Sequence, residues 1–219
     1  VRRLGERIVV VPNGVDLDHF RPASMPDGPI TFLMTARLLR DKGVYEYVEA
    51  ARLVKREHPA ARFWLLGPFD PNPAAVKPAE VDAWVREGVI DYGGAADDVR
   101  PYLAGCHVFV LPSYREGTPR TVLEAMAMGR PVITTDVPGC KETIVNHVNG
   151  VLVDARSGSS LARAMISAIE APDALSQIGR SCRQRAVELF SARTVAWATL
   201  NELVPTAEIE LDDSLALAS

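Results

Sequence analysis

The chain has 219 residues, 47% of them hydrophobic and 24% charged, with a formal net charge of −4. That is long enough to bury a proper core, and the composition is that of a soluble globular protein. Interspersed acids and bases exclude a nucleic-acid binder held by a broad basic face, and no apolar run approaches the roughly 20 residues needed to span a bilayer.

In chain order, Ile8 to Pro22 (IVVVPNGVDLDHFRP) reads as a β run ending in a Pro-Asn-Gly turn. No helix precedes it, so it is an incoming linker strand, and the sheet proper starts at Ile30. Strands are then expected at Ile30 to Ala36, Phe63 to Leu66, Val89 to Tyr92, Val108 to Leu111, Val132 to Thr135 and Val151 to Val153. Several are apolar on both faces, as buried parallel strands are. Helices are expected between them, at Val44 to Glu57, Pro78 to Glu87, Asp98 to Ala104, Pro119 to Met128 and Lys141 to Asn146. Such alternation predicts βαβ units in an α/β, doubly wound, Rossmann-like parallel sheet.

The stretch from Ser157 to Val204 reads as almost all helix, broken near Pro172-Asp173 and Ser191. The expected organisation is therefore a linker strand and incoming segment over 1–29, one Rossmann-like domain with C-terminal helices over 30–204, and a mobile acidic tail over 205–219. A start at Val1-Arg2-Arg3, without an initiator Met, reads as an excised piece. Cys106, Cys140 and Cys182 are odd in number and widely spaced, which suits a reducing cytosol and no disulfide framework. Cys140, near an expected helix start, reads as a small packing residue rather than a reactive thiol. The four histidines show no ligand spacing, and no structural metal is expected.

Chemistry concentrates in Tyr114 to Met128, YREGTPRTVLEAMAM, where Glu116 and Glu124 lie eight residues apart around a helix start. Glu124 sits inside an apolar run, and a carboxylate buried there needs a partner. On a continuous helix the two acids are about 12 Å apart along the axis, roughly the length of a sugar-diphosphate-ribose unit. Carboxylates accept both hydrogens of a vicinal diol, and a helix N-terminus offers free N–H groups to phosphate. A capping acid and a backbone-satisfied core glutamate would give the same pattern, so these two residues alone do not decide.

Ligands of doubly wound sheets bind beyond the carboxyl ends of the strands, at the switch in strand order. Those ends carry Arg37 to Gly43, then Gly93-Gly94, Pro112 to Gly117 and Asp136 to Gly139. Arg37 and Lys42 suit a diphosphate. A dinucleotide-dependent oxidoreductase would need G-x-G-x-x-G in the first βα turn, and this chain has RLLRDKG there.

PNGVD at Pro12 to Asp16, ARLLRDKG at Ala36 to Gly43, REGTPRTVLEAMAMGRPVITTDVPGCKE at Arg115 to Glu142, and NGVLVD at Asn149 to Asp154 resemble, as an ordered set, the retaining GT-B glycosyltransferases of family 4. The resemblance implies the C-terminal, nucleotide-sugar-binding half of a GT-B fold, with the acceptor domain lying outside this chain. It implies transfer of a hexosyl or N-acetylhexosaminyl group from a UDP-sugar, independently of metal or other cofactor, in bacterial polysaccharide biosynthesis. The acceptor is then a glycan or lipid-linked glycan, and the setting is the cytoplasm, with the full-length protein peripheral on the membrane.

Carried over by position, Arg37 and Lys42 bind the diphosphate, Glu124 the ribose diol, and Glu116 the donor sugar as the candidate catalytic acid. The backbone at Gly94 meets the base. Gly117 and the N–H groups of Thr118, Arg120 and Thr121 face sugar and phosphate. Gly117-Thr118-Pro119 replaces the Gly-Phe-Gly of many relatives, and Pro119 cannot donate a backbone hydrogen bond. A non-catalytic nucleotide-sugar-binding module and another GT-B enzyme, such as a nucleotide-sugar epimerase, are the rival readings.

Overall fold

A computed structural model describes residues 11–203. Its strands are β1 (Thr31–Thr35), β2 (Arg62–Leu66), β3 (Asp91–Tyr92), β4 (Val108–Leu111), β5 (Val132–Thr135) and β6 (Gly150–Val153). Helices α1 (Val44–Glu57), α2 (Pro78–Arg86), α3 (Arg100–Gly105) and α4 (Arg120–Ala127) alternate with the first five strands. After β6 come α5 (Gly158–Glu170), α6 (Pro172–Phe190) and α7 (Ala192–Leu203), broken at Ala171 and Ser191 as the sequence predicts.

The strands form one parallel sheet in the order β3-β2-β1-β4-β5-β6. Chain order reverses between β1 and β4, and this is the crevice where a doubly wound sheet binds ligands. Alternation along the strands divides the core between the two faces. Phe32 and Met34 of β1 join Phe63 and Leu65 of β2 under α1 and α5. Leu33, Leu66, Phe109 and Leu111 point the other way, onto α4 and α6.

Two expectations fail. Lys141 to Asn146 is not a helix but a run of turns. The β-branched Thr143, Ile144 and Val145 disfavour helix, and local side-chain bonds offer the backbone an alternative: Thr143 Oγ1 donates to the Cys140 carbonyl, and the Asn149 amide bonds both Val145 N–H and the Thr143 carbonyl. The incoming segment is not a strand where it is described. Positions 8–10 of the expected run lie outside the described residues, and 11–22 holds only a single parallel bridge from Val15 to Ser191. The expected tail, 205–219, also lies outside them.

The incoming segment is instead pinned by side chains. Arg130 is fully buried, and its Nη2 donates to the carbonyls of Ala23 at 3.0 Å and Ser24 at 2.7 Å. Arg183 donates to the Phe20 and Ala127 carbonyls, the second lying at the end of α4. In the sequence, Gly129-Arg130-Pro131 reads only as punctuation. Burial of the guanidinium, which pushes its pKa down, shows it to be a clamp.

Candidate functional site

At the switch in strand order, the loops after β1 and β4 enclose a hollow of about 320 Å³. Thr35 to Arg37 and Lys42 line it from the β1 side, Leu111 and Glu116 to Thr121 from the β4 side, and Asn13 from the incoming segment. Gly43 allows the two loops to meet: it is left-handed, with φ +76°, and a Cβ there would lie 2.1 Å from the Pro112 carbonyl oxygen. Any other residue would push the lysine before it away from the acid opposite.

Lys42 Nζ donates to Glu116 Oε1 at 2.6 Å, and the two side chains are 19% and 14% exposed. The buried Ser113 hydroxyl donates to the same oxygen at 2.7 Å. Arg37 is 62% exposed and donates through Nη1 to Asp70 at 3.1 Å. Both cations expected to meet a diphosphate thus hold a carboxylate partner, a pairing that sequence distance conceals. A phosphate entering here would have to compete with it.

Helix α4 begins at Arg120, so Glu116 stands on the preceding loop and no continuous helix joins the two acids. Pro119 is the N-cap, extended at φ −71° and ψ 114°, and its carbonyl receives the N–H groups of Val122 and Leu123. The N–H that proline lacks falls just outside the helix. Those of Arg120 and Thr121, in the first turn, have no intrahelical acceptor and belong to residues lining the hollow. The Thr118 carbonyl accepts from Asn13 Nδ2 at 2.5 Å, tying the incoming segment to the loop. Gly117 is exposed beside it.

Glu124 lies elsewhere. It lines an adjoining hollow of about 280 Å³ with Gly14 to Asp16, His19, Phe20 and Arg120. Burial pushes its pKa up, and Arg120 one turn earlier opposes the shift only in part. It is half-buried, its carboxylate accepts no hydrogen bond among the described residues, and neither of its oxygens is among the buried unsatisfied atoms, so the carboxylate opens onto this hollow instead of being closed off in the core as the apolar run suggests. Arg120 lines both hollows and makes no ion pair among the described residues.

Gly94 is outside both hollows. It follows β3 in a left-handed conformation, its carbonyl accepts from Gly67 N–H at 2.8 Å, and a Cβ on it would meet nothing within 4 Å. It keeps to the carboxyl edge of the sheet, two strands from β1, or about 10 Å at the usual strand spacing.

Three contributors lie in stretches the sequence points to but gives no role: Asn13, in the Pro-Asn-Gly turn, and Ser113 and Tyr114, just past the end of β4. Tyr114 anchors the acidic loop to α1 through Glu46, donating to Oε1 at 2.6 Å, with the Arg156 guanidinium 4.7 Å above its ring. Burial, and then the Glu46 carboxylate, push its pKa up to about 12. Cys140 is buried just behind the site and its pKa is raised by that burial, which makes it the packing residue the sequence suggested.

The family described as Glycosyl transferases group 1 matches residues 29–171. Over 156 residues the chain is 34% identical to a Campylobacter jejuni N,N'-diacetylbacillosaminyl-diphospho-undecaprenol alpha-1,3-N-acetylgalactosaminyltransferase, covering 71% of this chain and 40% of that protein. Among solved structures, it is similar to the Anabaena protein Alr3699/HepE in complex with UDP, at 21% identity and a TM-score of 0.78, over 88% of this chain and 56% of that one. The C-terminal domain of a glycosyl transferase group 1 family protein (LpcC) from Francisella tularensis is matched over its whole length and 82% of this chain, with 23% identity and a TM-score of 0.71. The chain spans about half the length of the curated relatives it matches.

Proposed function

Because this chain belongs to the group 1 glycosyl transferases, we propose that it is the donor-binding half of a retaining enzyme that transfers a hexosyl or N-acetylhexosaminyl group from a UDP-sugar. The observation that carries the reading is the meeting of Lys42, Glu116 and the start of α4 in one hollow at the sheet's switch point. The diphosphate lies against the N–H groups of Arg120 and Thr121, where helix dipole and unpaired donors favour an anion. Lys42 and Arg37 turn from their carboxylates onto it.

The base reaches along the sheet edge toward Gly94, the ribose meets Glu124 in the adjoining hollow, and the sugar sits against Glu116. As the anomeric C–O bond breaks, charge builds on the departing diphosphate, and these fixed donors stabilise that charge more than the ground state. In this reading the two basic side chains take the part of a divalent cation, and no metal is needed.

The acceptor, a glycan or lipid-linked glycan as in the Campylobacter relative's name, approaches from a second domain outside this chain. Helix α7 supports such a neighbour: Trp197 is 66% and Leu200 55% exposed, three residues apart on one face. Among the described residues no helix is long and apolar enough to cross a membrane. A cytoplasmic enzyme peripheral to the membrane that holds its lipid-linked acceptor fits this reading.

Titration calorimetry with UDP and UDP-galactose in EDTA tests the proposal. Binding of both without metal is expected, with no useful transfer by this half alone because the second wall of the cleft holds the acceptor. Binding that appears only with Mg²⁺ or Mn²⁺, or rapid acceptor-dependent turnover by this chain, would contradict it.

A further inference from the structure

Glu116 presents its two oxygens differently. Oε1 accepts from Lys42 Nζ and from Ser113 Oγ, at 2.6 and 2.7 Å. Oε2 has no hydrogen-bond partner among the described residues, yet it is not one of the buried, unsatisfied oxygens. It is therefore open to the hollow that Glu116 lines.

The two donors on Oε1 differ in mobility. Lys42 reaches it with a long flexible stem, while Ser113 is fully buried on rigid backbone. The Ser113 carbonyl accepts from Thr135 Oγ1 on β5 at 2.5 Å, and the next residue's N–H donates to the Asp41 carbonyl at 2.8 Å. Behind the loop, Gly139 stands so close that a Cβ would lie 1.8 Å from the Gly117 carbonyl oxygen.

We propose that Ser113 is a positioning residue: its hydroxyl holds Oε1 so that Oε2 faces the donor sugar after Lys42 has turned to the diphosphate. This rests on the donor-site reading above. With Lys42 gone to phosphate, the Ser113 bond is the one protein contact among the described residues that still fixes the carboxylate. Without it, Glu116 must be ordered by the sugar itself, a cost that falls on sugar binding and not on UDP.

The test is calorimetric titration of wild type, Ser113→Ala, Ser113→Thr, Glu116→Gln and the Ser113→Ala/Glu116→Gln double variant with UDP and with UDP-N-acetylgalactosamine. Ser113→Ala is expected to leave UDP affinity unchanged and weaken the UDP-sugar about tenfold, the low end for losing one hydrogen bond to a charged group. Ser113→Thr, which keeps the hydroxyl, restores it. The double variant loses no more than Glu116→Gln alone, because the serine acts through the glutamate. Equal losses of UDP and UDP-sugar in Ser113→Ala, or losses that add in the double variant, would overturn the inference while leaving the donor site standing. Failure of the wild-type chain to bind UDP would overturn the donor site and this inference with it.

Discussion

Removing the charge of Glu116 should tighten UDP binding. The Lys42–Glu116 contact is 2.6 Å long between side chains that are both less than a fifth exposed, and a hydrogen bond between charged groups contributes about 1.5–3 kcal/mol. In the proposed donor site UDP brings a diphosphate for Lys42 but no sugar for Glu116, so part of that contact would be given up on binding. In Glu116→Gln the competing charge is absent. UDP affinity should rise, by up to about tenfold if roughly 1.4 kcal/mol of the pair is relieved. Lys42→Met should move the other way and weaken UDP about tenfold or more, since it removes a ligand contact of the same charge-assisted kind. The assay is calorimetric titration of UDP in EDTA, with circular dichroism to confirm that both variants fold. A loss in Glu116→Gln matching that of Lys42→Met would refute the reasoning, because the acid would then be a support for the diphosphate site and not a competitor within it.

Glu124 makes stability depend on pH. Its folded pKa is raised above the ordinary 4.5 by burial, so the native state binds more protons than the unfolded chain in that interval and stability falls as pH rises through it. Glu124→Gln should melt above wild type at pH 7, with the gap closing as pH drops below about 4.5; a constant gap in thermal melts would contradict the assignment. Gly139→Ala forces a Cβ to within 1.8 Å of the Gly117 oxygen at φ +88°, so it should displace the Glu116 loop, lower the melting temperature and weaken UDP-sugar more than UDP in titrations. The thiols should be inert: Cys106 and Cys182 are pushed up to about 12 and Cys140 is also raised, all by burial. Iodoacetamide at neutral pH should label none of them in the folded chain and all three after denaturation, as read by mass spectrometry.

The sheet was legible because its strands are short runs apolar on both faces, separated by helices of ordinary length, and this pattern is set by local sequence. Lys141 to Asn146 departs from the expected helix because its place between two strands does not reveal that Asn149 and Thr143 will bond the backbone first. At the site, the sequence located Glu116, Lys42 and the start of α4 by their place at strand ends. It could not show that Lys42 and Glu116, 74 residues apart, form an ion pair, since that depends on how closely Gly43 lets two loops approach. It also offered no sign that Ser113 would turn inward or that Arg130 would be buried. Those follow from the packing of loop on loop, and neither residue type carries a periodic signal.

The central claim, that the hollow between the β1 and β4 loops holds a nucleoside diphosphate, is tested most directly by a crystal structure of the chain with UDP. The account predicts phosphate oxygens within hydrogen-bond distance of Lys42 Nζ and of the Arg120 and Thr121 N–H groups, with Lys42 turned from Glu116 and the ribose at Glu124. UDP bound elsewhere on the chain, or in the hollow with the Lys42–Glu116 pair intact and the helix start unoccupied, would contradict it.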